Sequence, residues 1–311
     1  MKKCAVIYNP KSGKRKNKKD FLKIIEKTLN SYCYEVVFFK TSKQGDATTI
    51  VFNLDDDYSL VIIAGGDGTL NEGITGNLMR EKKLLLASLP IGTTNDVGSM
   101  YGYTKNYKKD LELLLNGTIK RIDTCSLNSK PFVYVACLGN YVDVSYATPR
   151  KLKEKFGKFA YILYGMKRIC SKLKQYSIEY EIDGQKKEGD FSFLFITNSN
   201  RIAGLEHLYK NVKLNDNMFE VAFCKARTKR ELIKMIPALL TPVVKRVPNI
   251  IYYRTNKLTI KLKHRIDESW CLDGEEYATT EKVFRFHVQK EIEMLVPKKN
   301  VQKLFKEESE I

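Results

Sequence analysis

A chain of 311 residues with 43% hydrophobic and 29% charged content can bury a sizeable core in two domains, which argues against a disordered chain or a small disulfide-stapled one. Its formal charge of +18 marks a surface that draws a polyanion, a phosphate-rich ligand or an anionic membrane. Seven scattered cysteines, never spaced C-x-x-C, and three separated histidines (His207, His264, His287) argue against a disulfide framework and a zinc site, and fit a reducing cytoplasm.

From residue 4 to about 125 short apolar runs alternate with helical patterns. "CAVIY" reads as a buried strand, and a helix covers Lys18 to Asn30. "EVVFF" is the next strand, followed by a helix in "DATTIVFNL". Then come "LVIIA", a helix from Leu70, the strand "LLLASLP" and a helix near Asn95. Continuous apolar strands alternating with helices predict a parallel sheet covered on both faces. Ligands of such sheets bind outside the carboxyl ends of the strands, so "NPKSGK", "GGDGTLNE" and "PIGTTND" should share one crevice.

Past Ser126 the period changes to two. "YSIEYEID" alternates, Asp183-Gly184 reads as a hairpin turn, and "DFSFLFI" sets Phe191, Phe193 and Phe195 on one face. "NMFEVAFC", "NKLTIKLK" and "VFRFHVQ" continue the theme, which predicts an antiparallel sandwich or barrel. Helices are expected at Phe159 to Lys174 and at Thr228 to Leu240, the second opened by a Thr228/Glu231 capping box. The end, "PKKNVQKLFKEESEI", reads as a short helix and a charged tail. The "MKKCAVIYNP" start has too short an apolar segment for a signal peptide, and no apolar run approaches the ~20 residues of a membrane span.

The glycine loops carry the chemistry. A glycine-rich turn between strand and helix lets backbone N–H groups approach phosphate oxygens, helped by the helix N-terminus. Asp67, between glycines, would repel a bare phosphate and makes sense with an intervening cation, such as Mg²⁺ on a nucleotide; a tight turn needing positive φ is the simpler account of one such loop. In "PIGTTNDVG", Gly92 permits close approach, Thr93 and Thr94 offer hydroxyls, and Asn95 or Asp96 can cap the next helix. "NPKSGKRK" lacks the G-x-x-x-x-G-K-[ST] pattern, which argues against an ordinary Walker ATPase. Downstream, "WCLDGEEY" sets Asp273 and Glu275 around a glycine, either as a hairpin turn or as a general base.

Together "YNPKSGK", "GGDGTLNE", "PIGTTND" and "DGE", in this order, resemble the diacylglycerol kinase catalytic family of lipid kinases, which includes sphingosine and ceramide kinases. "VSYATPRKLKEKFGKFAYILYGMK" also looks like the soluble bacterial diacylglycerol kinases, so the likeness covers nearly the whole chain. The resemblance implies an α/β nucleotide-binding domain of the NAD-kinase/diacylglycerol-kinase-like, doubly wound type over 1–125, completed by the tail 291–311, and a β-sandwich lipid-substrate domain over 126–290. It implies an ATP- and Mg²⁺-dependent lipid phosphotransferase. Asn9, Pro10, Lys11, Ser12, Gly13 and Thr41 would line the nucleotide. Gly65, Gly66, Asp67, Gly68, Thr69, Leu70, Asn71 and Glu72 would cradle phosphates, with Thr93 and Asn95 beside them. Asp67 would join a carboxylate, water and metal network, and Asp273 or Glu275 would be the base. Its bacterial members also imply a structural Mg²⁺ held by the side chain of Asp216 and the backbone oxygens of Lys213 and Met218 in "KLNDNM". Here Asn215 replaces a carboxylate and Asn217 a glycine; Asn217 can still enter the left-handed region.

The charge fits this reading. Lys11, Lys14, Arg15, Lys16, Lys18 and Lys19 flank the proposed crevice, and the segment Arg150 to Lys174 holds one acid, Glu154, among many Lys and Arg. Each basic residue near an anionic bilayer is worth ~1 kcal/mol, so a cytoplasmic enzyme peripherally bound to the membrane is expected. No helix-turn-helix, zinc finger or RNP motif is present, and a nucleic-acid partner is not expected. Diacylglycerol giving phosphatidic acid is the expected reaction; a sphingoid base, another lipid alcohol, NAD, or a dead-site nucleotide sensor are the alternatives. The resemblance allows a homodimer.

Overall fold

The computed structural model describes residues 1–13, 18–92, 95–104, 106–140, 173–199, 201–202, 205–206, 211–228, 230–231, 234–235 and 247–307. The chain divides into two compact units, Met1–Ile122 with Lys290–Ile311, and Asp123–Gln289.

The first unit runs β1 (Lys2–Tyr8), α1 (Lys18–Ser31), β2 (Tyr34–Lys40), α2 (Asp46–Phe52), β3 (Tyr58–Gly65), α3 (Asp67–Met79), β4 (Leu86–Pro90), α4 (Asp96–Met100) and α5 (Tyr107–Leu115). Its strands lie in the order β2-β1-β3-β4, with every neighbouring pair parallel. The buried runs explain why: Cys4, Val6, Leu60, Ile62, Ala87 and Leu89 pack against Phe21, Ile25 and Leu29 of α1 and Leu111 and Leu114 of α5. Alternate residues face the other way, where Ile63 meets α3 at Gly73. A strand buried on both faces cannot alternate polar and apolar residues. Three expectations change here. Helix α3 begins at Asp67 rather than Leu70, so Asp67 stands in the first helical turn and not in a loop. The helix near Asn95 is only five residues long, and α5 is an additional element, capped by the Asn106 side chain, which accepts from the N–H groups of Lys108 and Lys109.

The chain then continues through β5 (Thr118–Leu127), β6 (Lys130–Phe132), β7 (Val135–Gly139), β8 (Tyr176–Ile182), β9 (Gln185–Phe191), β10 (Phe193–Thr197), β11 (Arg201–Ile202), β12 (Leu205–Glu206), β13 (Phe219–Cys224), β14 (Ile250–Thr255), β15 (Lys257–Leu262), β16 (Trp270–Leu272), β17 (Glu275–Tyr277) and β18 (Val283–Val296), ending in a 3-10 turn and the short helix α6 (Val301–Leu304). In the second unit β15 pairs antiparallel with β8 and with β18, β8 pairs with β9, and a separate sheet has the order β14-β13-β10-β7-β16-β17. Phe132, Phe191, Phe219, Phe223, Trp270, Phe284 and Phe286 fill one core between them. The far end of β18 belongs to the first unit, where Met294 and Leu295 pair in parallel with Leu86 and Ala87 of β4.

Asp183 and Gly184 (φ +50° and +74°) turn the β8–β9 hairpin, as their sequence required. "DFSFLFI", however, is two strands and not one. Ser192, whose N–H donates to Cys224 O at 2.8 Å, breaks the run as the chain passes from one sheet to the other. Phe191 is therefore in the core, whereas Phe193 and Phe195 stack on each other at 6.0 Å on β10, whose core hydrophobic residues are Leu194 and Ile196. The period of two resets at the sheet change.

Lys14, Arg15, Lys16, Thr93, Thr94, the predicted helix from Phe159 up to residue 172 with its basic residues, and most of Thr228 to Leu240 lie outside the described residues. Of the predicted capping box, Thr228 Oγ1 accepts from the Glu231 N–H at 3.3 Å, while the Glu231 carboxylate accepts from the N–H of Arg227, one position upstream of the expected donor. Among the described residues no helix is long and apolar enough to cross a membrane.

Candidate active site

Three loops meet at the carboxyl ends of β1, β3 and β4. After β1 the Asn9 N–H donates to Ala64 O at 3.1 Å, its side-chain oxygen accepts from the Lys11 N–H at 2.9 Å, and its carbonyl accepts from the Ser12 N–H at 3.1 Å. That turn, with Pro10 in it, delivers Gly13 at φ +71°, where a Cβ would stand 2.4 Å from Ile91 O. Gly65 O in turn accepts from the N–H groups of Ile91 (2.8 Å) and Gly92 (3.2 Å). A Cβ on Gly92 would lie 2.7 Å from Gly66 Cα. The glycines at 13 and 92 are thus demanded by backbone meeting backbone. Gly66 is different: a Cβ there would find only ordinary contacts. Thr41, at the end of β2, is buried and donates its N–H to Tyr8 O at 3.0 Å. Lys11 is exposed.

Asp67 has a partner that the sequence reading missed. Its two carboxylate oxygens accept from the N–H groups of Asp96 (2.8 Å) and Val97 (3.1 Å), so it caps α4 from the first turn of α3. The expectation that Asn95 or Asp96 caps this helix is corrected. Asn95 is held at φ +52° with its side chain turned back, accepting from the Gly92 N–H and donating to Gly92 O, both at 2.9 Å. A carboxylate oxygen can accept more than one hydrogen bond, so Asp67 keeps capacity for a water or a cation on a nucleotide. Gly66, as N-cap of α3, has no side-chain acceptor to offer that helix's first turn, where an anion's oxygen can serve.

Others of the "GGDGTLNE" set build the scaffold. Thr69 and Leu70 are buried, and Thr69 lies against Gly65. Glu72 accepts from the Ala47 N–H at 3.2 Å through its carboxylate, and from the Thr48 hydroxyl at 2.9 Å through its carbonyl, which ties α2 to α3. Gly68 and Asn71 are half-buried.

In the second unit, Asp273 and Gly274 (φ +50° and +89°) make the two-residue turn between β16 and β17. They do so with an unusual constraint. The Asp273 carboxylate is buried and accepts from three consecutive N–H groups, Val133 (2.6 Å), Tyr134 (2.9 Å) and Val135 (2.9 Å). Its own N–H donates to Val135 O at 2.8 Å. Glu275, two residues on, is exposed. The two acids of "DGE" therefore have different environments, one pinned as an acceptor and one open to solvent.

The candidate metal loop runs from Lys213 to Met218. Asn217 takes φ +56°, the left-handed conformation expected of it. Asp216 is buried, with one oxygen accepting from the Met218 N–H at 3.1 Å and the other paired with the Arg254 guanidinium. Arg254 also lies 3.6 Å from Glu220 Oε1. Burial pushes the Glu220 carboxyl up to about 8, against the pull of Arg254 and with the push of Asp216. Asp123 anchors the loop from β5: its carboxylate accepts from the Asn217 N–H (2.7 Å) and its N–H donates to Leu214 O (2.6 Å). Nothing in the mixed stretch "RIDTCSL" marks Asp123 as the anchor of a loop residue 94 positions away. With one oxygen of its only side-chain ligand bound by a guanidinium, and neutral Asn215 beside it, this loop does not fit the divalent cation that the resemblance implied. Among the described residues no group of three or more His, Cys, Asp or Glu could hold a metal.

Residues 3–127 match the family of the diacylglycerol kinase catalytic domain. Over 306 residues the chain is 30% identical to a diacylglycerol kinase of Bacillus subtilis (strain 168), covering 98% of this chain and 99% of that one. It is 29% identical over 298 residues to a diacylglycerol kinase of Staphylococcus carnosus (strain TM300), covering 96% of each. Of solved structures, that of a diacylglycerol kinase from Bacillus anthracis str. Sterne matches with a TM-score of 0.79 at 22% identity, over 96% of this chain and 99% of that one. That likeness speaks to the fold, an α/β part followed by antiparallel sheets.

Proposed function

The chain belongs to the diacylglycerol kinase catalytic-domain family of lipid kinases, and on that premise we propose that it transfers the γ-phosphate of MgATP to the hydroxyl of diacylglycerol, giving phosphatidic acid. The observation that carries the reading is the meeting of the Asn9–Gly13 and Gly65–Asp67 segments with Ile91 and Gly92 at the carboxyl ends of three parallel strands. Phosphoryl transfer asks mainly for positioning and charge screening, which loops gathered at the strand ends beside the first turn of α3 can supply.

In this reading the turn at Asn9–Gly13 and the first turn of α3 hold the phosphates. Mg²⁺ bound with the nucleotide would supply charge screening at the phosphate oxygens. Asp67 would hold that cation or its water shell, its own position being set by the N–H groups of Asp96 and Val97. Glu275, exposed and outside the three-fold backbone clamp that holds Asp273, takes the proton of the lipid hydroxyl. Asp273 is a positioning residue, holding the hairpin that presents Glu275. The basic surface draws the enzyme to an anionic membrane from the cytoplasmic side.

The test is transfer of radiolabelled phosphate from ATP to a mixed-lipid extract in anionic micelles, with NAD in a parallel lane. Labelled phosphatidic acid is the expected product. Label in another lipid overturns the substrate and keeps the kinase. Label in NAD alone, or in nothing, overturns the lipid-kinase reading.

A further inference from the structure

A buried carboxylate must be satisfied by hydrogen-bond donors, by a cation or by a proton. In the loop from Lys213 to Met218 that carboxylate is Asp216, whose side chain is 1% exposed. A divalent cation there would do two things: balance the charge and tie the loop to the body of the unit. The structure meets both needs from within the chain. Arg254 lies on β14, directly across from Glu220 of β13 in the antiparallel register. Its guanidinium pairs with Oδ2 of Asp216 and lies 3.6 Å from Glu220 Oε1, so one side chain reaches both acids. Oδ1 of Asp216 accepts from the Met218 N–H, and Asp123 secures the same loop from β5 through the Asn217 N–H and Leu214 O.

The substitutions within the loop agree with an internal cation. A guanidinium carries one positive charge, half that of a divalent metal, and neutral Asn215 stands where the resemblance implies a second carboxylate. Lower cation charge and fewer acids go together. The planar fork of arginine also fits carboxylate oxygens that a lysine would address only as a point charge.

We infer that Arg254 replaces the structural metal ion of this loop, so that the loop between Lys213 and Met218 is held in place by a salt bridge and needs no divalent cation. The inference stands apart from the proposed reaction, because MgATP at the glycine loops is a substrate and not part of this arrangement. It converts a metal-linked folding equilibrium into a metal-independent one.

The experiment measures thermal unfolding and bound metal on the full chain without nucleotide. Wild-type protein dialysed against EDTA should contain no stoichiometric magnesium or calcium, and its Tm should be the same in EDTA as in millimolar MgCl₂ or CaCl₂. Arg254→Met leaves Asp216 buried and without its partner and should lower Tm by about 10 °C. A tightly held metal surviving dialysis, or a wild-type Tm that falls in EDTA and returns with Mg²⁺, overturns the inference; so does an Arg254→Met protein as stable as wild type. The wild-type measurements decide the matter even if the variant does not fold.

Discussion

Replacing Asp273 with alanine removes the acceptor for three backbone N–H groups at once. Val133, Tyr134 and Val135 donate at 2.6, 2.9 and 2.9 Å to a carboxylate that is only 4% exposed. An unsatisfied buried donor costs about 1–3 kcal/mol, and water reaching the hairpin end recovers part of it, so the loss is about 3–6 kcal/mol. Against a total of about 5–15 kcal/mol that is a large share. Glu275 is exposed, and Glu275→Gln should change stability by no more than about 0.5 kcal/mol. Urea unfolding followed by tryptophan fluorescence separates the two cases. Trp270 is the only tryptophan, is fully buried, and lies on the strand that leads into Asp273, so its signal reports this unit. The expected result is a midpoint shifted far down for Asp273→Ala and unmoved for Glu275→Gln at an unchanged slope. Glu275→Gln should meanwhile lose about 10²–10⁴-fold in turnover. An Asp273→Ala protein with a wild-type midpoint, or a Glu275→Gln protein with wild-type turnover, refutes the division of labour between the two acids.

Asp67→Ala should cost about 1 kcal/mol of stability by uncapping α4, and should abolish lipid phosphorylation in protein that remains folded by circular dichroism. Normal turnover there would remove Asp67 from the phosphate-transfer machinery. Gly76→Ala runs against helix propensity: alanine favours a helix by about 1 kcal/mol, yet its Cβ would stand 2.3 Å from Thr48 O where α3 crosses α2. A net loss of about 1–3 kcal/mol is expected from the Tm, and a stabilised variant would show that the two helices are not in such close contact. Raising NaCl should weaken phosphorylation of lipid in anionic micelles more than in neutral ones, read as a steeper fall in initial rate; equal falls would remove the electrostatic docking.

Much of this protein was legible in local pattern. Unbroken apolar runs mean strands covered on both faces, alternation means strands with one face in a core, and glycines between strand and helix mean backbone brought close to something. Those signals identify the two kinds of sheet and the order of the three loops, because each depends on neighbours a few residues away. What the glycines approach is a different matter. Gly13 meets Ile91 O and Gly92 meets Gly66, so part of their requirement is loop packing on loop, which no single segment reveals.

The polar partners were decided only by the fold. Asp67 caps a helix whose first N–H groups lie 29 and 30 residues further on. Asp273 accepts from N–H groups 138 to 140 residues earlier, and Arg254 reaches back 38 residues to Asp216. A carboxylate in a sequence looks the same whether it will hold a metal, cap a helix or pair with arginine. The choice depends on which donors stand within about 3 Å after the chain has closed on itself, and burial then makes that choice costly to change. The same holds for Phe191, Phe193 and Phe195, whose shared face dissolved because the chain changes sheets at Ser192. Sequence period determines which residues want to be buried; tertiary contact determines against what.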